Sequence, residues 1–211
     1  MDALASAASV MTVIPTLSPR LILPPGWQYL PVAADNAPTV HRTFASVRTL
    51  GPRDSITPFA RELERALQAQ LDEAFRAGAF AVALPLGRPW EVPVSTSIAF
   101  SAVSPGTGAP SLPTVGEPVD TDAGAARRHI VDAVIPDGAA PGELVLLRTL
   151  DYTWVHGEGY LVAFASITGD ADPDYAPVTD ALTLLLTTML DAVTFDPAGT
   201  HTDTDRPEAR P

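Results

Sequence analysis

Cysteine is absent from this 211-residue chain, and so is lysine: all 13 basic side chains are arginine. Without cysteine there is no disulfide, no thiolate nucleophile, no cysteine-held zinc or iron–sulfur cluster, and no lipidated cysteine anchor. Without lysine there is no phosphate-binding P-loop lysine, no Schiff base and no kinase-type ATP clamp. Positive charge is scarce as well: 25 acidic side chains against 13 basic ones leave a formal charge of −12. Binding to phosphates by counterion release needs clustered positive charge, so neither nucleic acid nor an anionic membrane surface is an expected partner. Long apolar runs are missing too; no stretch approaches the roughly eighteen residues of a membrane span. The first arginine is Arg20, so the N-terminus lacks the positive flank of a signal peptide. The expected location is cytoplasmic, with Met11 a second candidate start.

What is present is a globular composition, 46% hydrophobic, in a length suited to one domain. The expected domain runs over 19–196. Residues 1–18 are expected to be disordered, as is the polar, acidic tail 197–211.

Two helices are legible. Thr57-Pro58 supplies an N-cap and a first-turn proline, and Phe59, Leu63, Leu67, Leu71 and Phe75 recur at helical spacing until Gly78. The expected helix is 58–77. The second, expected over 177–192, carries Val178, Leu182, Leu185, Leu186, Met189 and Val193 on one stripe, with Asp180, Thr183, Thr187 and Asp191 opposite.

Strands are expected on either side of the Pro24-Pro25-Gly26 turn, over 80–86, 94–103 and 129–135, and at 193–195. Residues 33–56 read mostly as loop, with a candidate strand near Thr43–Thr49, and 104–126 reads as a long surface loop. The segments 144–155 and 160–167 flank a His156-Gly157-Glu158-Gly159 hairpin and are apolar on both faces, which predicts two central strands covered on both sides. The fold class that follows is α+β: a mainly antiparallel sheet with the two helices on opposite faces.

Motifs for chemistry are few. There is no G-x-S-x-G and no H-E-x-x-H. His156 and Glu158 form a candidate acid/base pair, but a hairpin tip offers little desolvation to tune it. Asp170, Asp172 and Asp174 resemble the opening of a calcium loop, yet Tyr175 replaces the turn glycine and Ala181 the bidentate glutamate. The acidic run is expected to feed the N-terminus of the second helix instead. No cofactor or metal is expected. Leu184 stands among polar residues on the outer side of that helix, and with Thr183, Thr187 and Thr188 it makes a candidate partner-binding patch, poor in charge and cheap to desolvate.

The order of elements resembles the PsbP-like α/β/α fold, in an actinobacterial branch. Leu23-Pro24-Pro25-Gly26-Trp27 is similar to the first strand of its bacterial members. Residues 157–164 are similar to their glycine hairpin and apolar strand, and 185–195 to their closing helix and strand. The lipidation cysteine of those relatives is absent. The resemblance implies a non-enzymatic adaptor, since the wider fold includes an extrinsic photosystem subunit, a Ran-binding factor, mycobacterial lipoproteins and secretion-effector chaperones. The expected function is therefore protein binding, either to another protein or to a second copy, as a chaperone or accessory factor of a bacterial secretion system. The alternatives are an enzyme built around His156 and Glu158, or a small-ligand-binding domain.

Overall fold

The structure is a computed structural model and describes residues 17–45, 53–87, 92, 94–105, 108, 110–136 and 144–197. The expectations placed on 1–16, on 46–49 and on the tail from 198 onward lie outside the described residues.

Alternating apolar residues build a seven-stranded sheet. Its strands are β2 (Trp27–Pro31), β3 (Ala79–Pro85), β4 (Ser95–Val103), β5 (Glu117–Thr121), β6 (Gly124–Pro136), β7 (Leu144–His156) and β8 (Gly159–Asp170). The spatial order is β2-β3-β4-β8-β7-β6-β5, and every neighbouring pair is antiparallel. Two further strands, β1 (Leu17–Arg20) and β9 (Thr194–Pro197), form a separate antiparallel pair. The Pro-Pro-Gly turn forms as read: Gly26 adopts φ 85°, and the Trp27 amide donates to the Pro24 carbonyl at 3.1 Å. Yet the strand before the turn pairs with the C-terminal strand and not with the one after it. That strand opens at Leu17, two residues inside the segment expected to be disordered.

Three helices flank the sheet: α1 (Ala37–Phe44), α2 (Arg53–Arg76) and α3 (Ala176–Asp191). Helix α2 starts at Arg53, upstream of the expected Thr57-Pro58 signal, and Pro58 lies inside it. A proline that near the end forfeits a single i→i−4 bond, which the helix tolerates. Helix α1 takes up residues 37–44 of the stretch expected to be mostly loop, including Thr43 and Phe44 at the start of the candidate strand. Its eight residues contain one buried pair, Val40 and Phe44, too little for a periodicity to register. Asn36 precedes it, fully buried, accepting from the Ala33 amide at 2.9 Å and donating to Asp72 Oδ1 of α2 at 3.0 Å. The region expected to be a loop over 104–126 also holds β5, joined to β6 by a tight turn at Asp122-Ala123.

The strand alternation sends apolar residues to two cores. Val82, Leu30, Leu67 and Leu71 pack with Val40 and Phe44, placing α1 and α2 on one face of the sheet. Ala81, Ala83, Ile98, Phe100, Leu150, Ala163 and Ile167 pack with Leu186, Met189, Leu190 and Val193, placing α3 on the other. Helices on opposite faces of an antiparallel sheet are what the sequence predicted.

Candidate interaction surface

The α3 face is closed by polar ties as well as apolar packing. Arg148 of β7 donates through Nε and Nη2 to both carboxylate oxygens of Asp132 on β6, at 2.7 and 2.8 Å. Its Nη1 reaches Asp180 at 2.7 Å and the Thr183 hydroxyl at 3.0 Å on α3. The hydrogen bonds from Arg148 hold the Asp132 carboxyl below its usual range. At the other end of α3, the buried Tyr152 hydroxyl donates to Asp191 at 2.9 Å and accepts from Arg128 Nη1 at 3.2 Å, while Arg128 also pairs with Glu117. The Asp122 amide in the β5–β6 turn donates to the Asp191 carbonyl at 2.8 Å. Arginine's fork geometry makes such two-carboxylate bridges possible where a lysine would offer a point charge. These residues join β5, β6, β7 and α3 into one unit, and nothing in the sequence pattern pairs them.

The opposite face is covered unevenly. Helices α1 and α2 pack on β2, β3 and β4. Over β6, β7 and β8 that face carries Val131 and Ile135, then Val145, Leu147, Thr149, Thr153 and Val155, then Val162 and Phe164. Phe164 remains 43% exposed, Val131 40%, Val155 39% and Ile135 37%. The expectation that β7 and β8 are covered on both sides is thus corrected: α3 covers one face, whereas on the other Phe164, Val131, Val155 and Ile135 stay exposed, although the 110–116 segment reaches Tyr160 through Ser111 and Arg127 through Gly116. Several exposed apolar side chains on one sheet face are informative in a way that a single exposed leucine is not.

One ionisable pair sits on this open face. Asp151 lies between Phe164 of β8 and His129 of β6 as cross-strand neighbours. Partial burial raises the Asp151 carboxyl above its ordinary value, with the His129 charge opposing. A raised folded value means that the stability this group contributes is present at low pH and lost as pH rises through that value. Asp151→Asn is therefore expected to raise the urea midpoint at neutral pH. The gain should vanish near about pH 3, where both states carry the protonated acid. An unchanged midpoint at pH 7 would show that the carboxylate is solvated.

The residues singled out in the sequence fall elsewhere. Leu184 is 69% exposed on the outer side of α3, as expected. Thr187 and Thr188 return their hydroxyls to backbone carbonyls at Thr183 and Leu184, and Thr183, half-buried, bonds to Thr179 O and accepts from Arg148. The four residues do lie together, but on the face opposite Phe164. His156 and Glu158 are both exposed at the β7–β8 hairpin tip, and no hydrogen bond or ion pair ties either side chain to a described neighbour. Asp172 accepts from the Asp174 amide at 2.9 Å and so caps a single 3-10 turn at Pro173–Tyr175 leading into α3. The calcium-like run is a helix entrance. Among the described residues no group of three His, Asp or Glu side chains is placed to hold a metal ion. A shallow groove of about 570 Å³ runs between α1 and α2, lined by Val40, His41, Arg61, Arg65 and Asp72 among others. No helix among the described residues is long and apolar enough to cross a membrane.

No protein-family model matches the chain. No curated protein matches it either. Among solved structures it is similar to LpqN, described as involved in cell envelope biogenesis of Mycobacterium tuberculosis. That similarity is 9% identity with a TM-score of 0.43, over 86% of this chain and 84% of LpqN. The PsbP-like resemblance rests on the sequence motifs alone.

Proposed function

We propose that this protein is a non-enzymatic binding module that docks another protein on the open sheet face of β6, β7 and β8. The observation that carries this reading is the exposure of Phe164, Val131, Val155 and Ile135 on one continuous face whose other half the chain covers with its own α2. The partner element that fits is an amphipathic helix laid beside α2, completing a layer the chain leaves half built. Polar residues on this face, Asp151, His129 and Asp170, give such a helix its orientation, while the Phe164 ring supplies the anchor. A chaperone or accessory role in a secretion system is the finer reading that the PsbP-like motifs suggest, and a cytoplasmic location goes with it. The patch at Leu184, with Thr183, Thr187 and Thr188, is a second proposed contact. It is favoured by the 69% exposure of Leu184 and by threonine hydroxyls already satisfied within the helix. An enzyme centred on His156 and Glu158 has less support, because neither side chain is desolvated or oriented by a neighbour.

The test is a photoreactive residue placed at Phe164, and separately at Leu184, in the native host. The reading expects a defined protein adduct at 164, weakened at least tenfold by Val131→Asp on the same face. Adducts at 184 alone would move the site to α3, and adducts at neither position would reject protein binding by these surfaces.

A further inference from the structure

Strand β6 is thirteen residues long, but β5 pairs with its first five only, Gly124–Arg128. The neighbouring chain stays close as far as Gly116, where any Cβ would meet the Arg128 carbonyl oxygen at 2.5 Å, and at Ser111 it is bonded to the Tyr160 hydroxyl of β8 instead. From His129 to Pro136, β6 pairs with β7 on one side without a register shift, and among the described residues no strand pairs with the other side. Natural edges are blunted by lysine, by a mid-strand proline, by a bulge or by inward charge. This edge has no lysine, no bulge and no proline before Pro136. Its single acidic residue, Asp132, is turned onto Arg148 of its own chain. Its apolar side chains are open on both faces: Ile130 and Val134, at 40% and 59% exposed, on the α3 side, and Val131 and Ile135 on the other.

We infer that this edge pairs with the same edge of a second copy, antiparallel about a two-fold axis normal to the sheet. Such an axis matches residues of equal parity, because opposed side chains must share a face. Centring on Asp132 would set two carboxylates against each other, which is disfavoured. Centring on Ala133 sets two methyl groups together on the axis and Val131 opposite Ile135 twice, a β-branched pairing that a sheet favours. The Ala133-centred register is thus self-complementary, and isologous pairing closes after two copies. The inference does not depend on the docking of a foreign helix. It joins two seven-stranded sheets into one and turns both open faces the same way, so the two Phe164 surfaces would be presented side by side.

Sedimentation of the full chain is expected to give a dimer with a dissociation constant of roughly micromolar order, suited to a small interface. Val131→Lys or Ile135→Lys, both at exposed positions, should weaken it at least tenfold without moving the melting curve. Because the natural chain has no cysteine, Ala133→Cys alone should form an intermolecular disulfide on mild oxidation, since opposed Cα atoms in such a pair lie about 4.5–5.5 Å apart. A chain that stays monomeric at roughly 100 µM overturns the inference. So does a dimer that ignores both lysine variants and yields to Phe164→Asp, or one in which Ala133→Cys does not cross-link.

Discussion

Leu190→Ala is expected to lower the unfolding free energy by about 2–5 kcal/mol, whereas Leu184→Ala on the same helix should change it by no more than about 0.5 kcal/mol. Leu190 and Leu186 are fully buried in the layer between α3 and the sheet, against Phe100, Leu150 and Ala163 among others. Helix α3 is the described element that closes this face over β7 and β8, so a void there has little adjacent mass that can settle into it. The cost accordingly combines lost transfer free energy with an unfilled cavity. Leu184 projects from the far side of the helix and buries little, so its truncation removes almost nothing. Urea unfolding of the two variants measures the difference directly. Equal effects would mean that α3 is rotated on its axis from the orientation described.

Tyr152→Phe is expected to cost about 1–3 kcal/mol, although it deletes a single oxygen. The phenol sits in the core, stacked on Trp154 at a centroid distance of 5.6 Å, and its hydroxyl joins Asp191 to Arg128. Removing it leaves an acceptor on α3 and a donor on β6 facing each other across the gap; Arg128 Nη1 and Asp191 Oδ2 are already 3.7 Å apart, close but not hydrogen-bonded. Burial raises the Tyr152 hydroxyl above its ordinary value, with Arg128 opposing and Asp191 reinforcing. A raised folded value means that its contribution is complete below about pH 10, the unfolded value, and is lost as pH climbs beyond it. The wild type should therefore lose stability on the alkaline side more steeply than the variant. On the acid side the sign reverses at Asp132, whose depressed carboxyl stabilises above the ordinary carboxylate value and ceases to do so as pH falls through its folded one. Guanidinium or urea midpoints across pH show both limbs. An alkaline limb of the same slope in Tyr152→Phe would place the hydroxyl in solvent.

Several features are legible in the sequence alone. The stripe of Leu182, Leu185, Leu186 and Met189 fixed which side of α3 is buried, and the isolation of Leu184 among polar neighbours marked the side that is not. The alternation along 80–86, 94–103 and 160–167 gave three of the central strands. Other features were illegible. In α1, one buried pair four residues apart gives no periodicity. In β5, Pro118, Asp120 and Thr121 look like loop, because the strand is held by its pairing with β6 and not by its own propensity. The Arg148–Asp132–Asp180 and Arg128–Tyr152–Asp191 ties join residues 16 to 63 positions apart, and no local pattern couples them.

The sequence by itself determined the chemistry excluded by the absence of thiol and lysine, the α+β class, and the demand of β7 and β8 for apolar cover on both faces. Only the tertiary structure decided where that demand is met. Strands lie about 4.8 Å apart, so seven of them make a sheet far wider than one helix of roughly 10 Å diameter. Helices α1 and α2 follow β2 in the chain and settle over the β2–β4 half. Helix α3 follows β8 and settles on the other face. Periodicity records that a side chain wants to leave water; the lengths and order of the connections decide which of them can, and here they leave Phe164, Val131 and the edge of β6 outside.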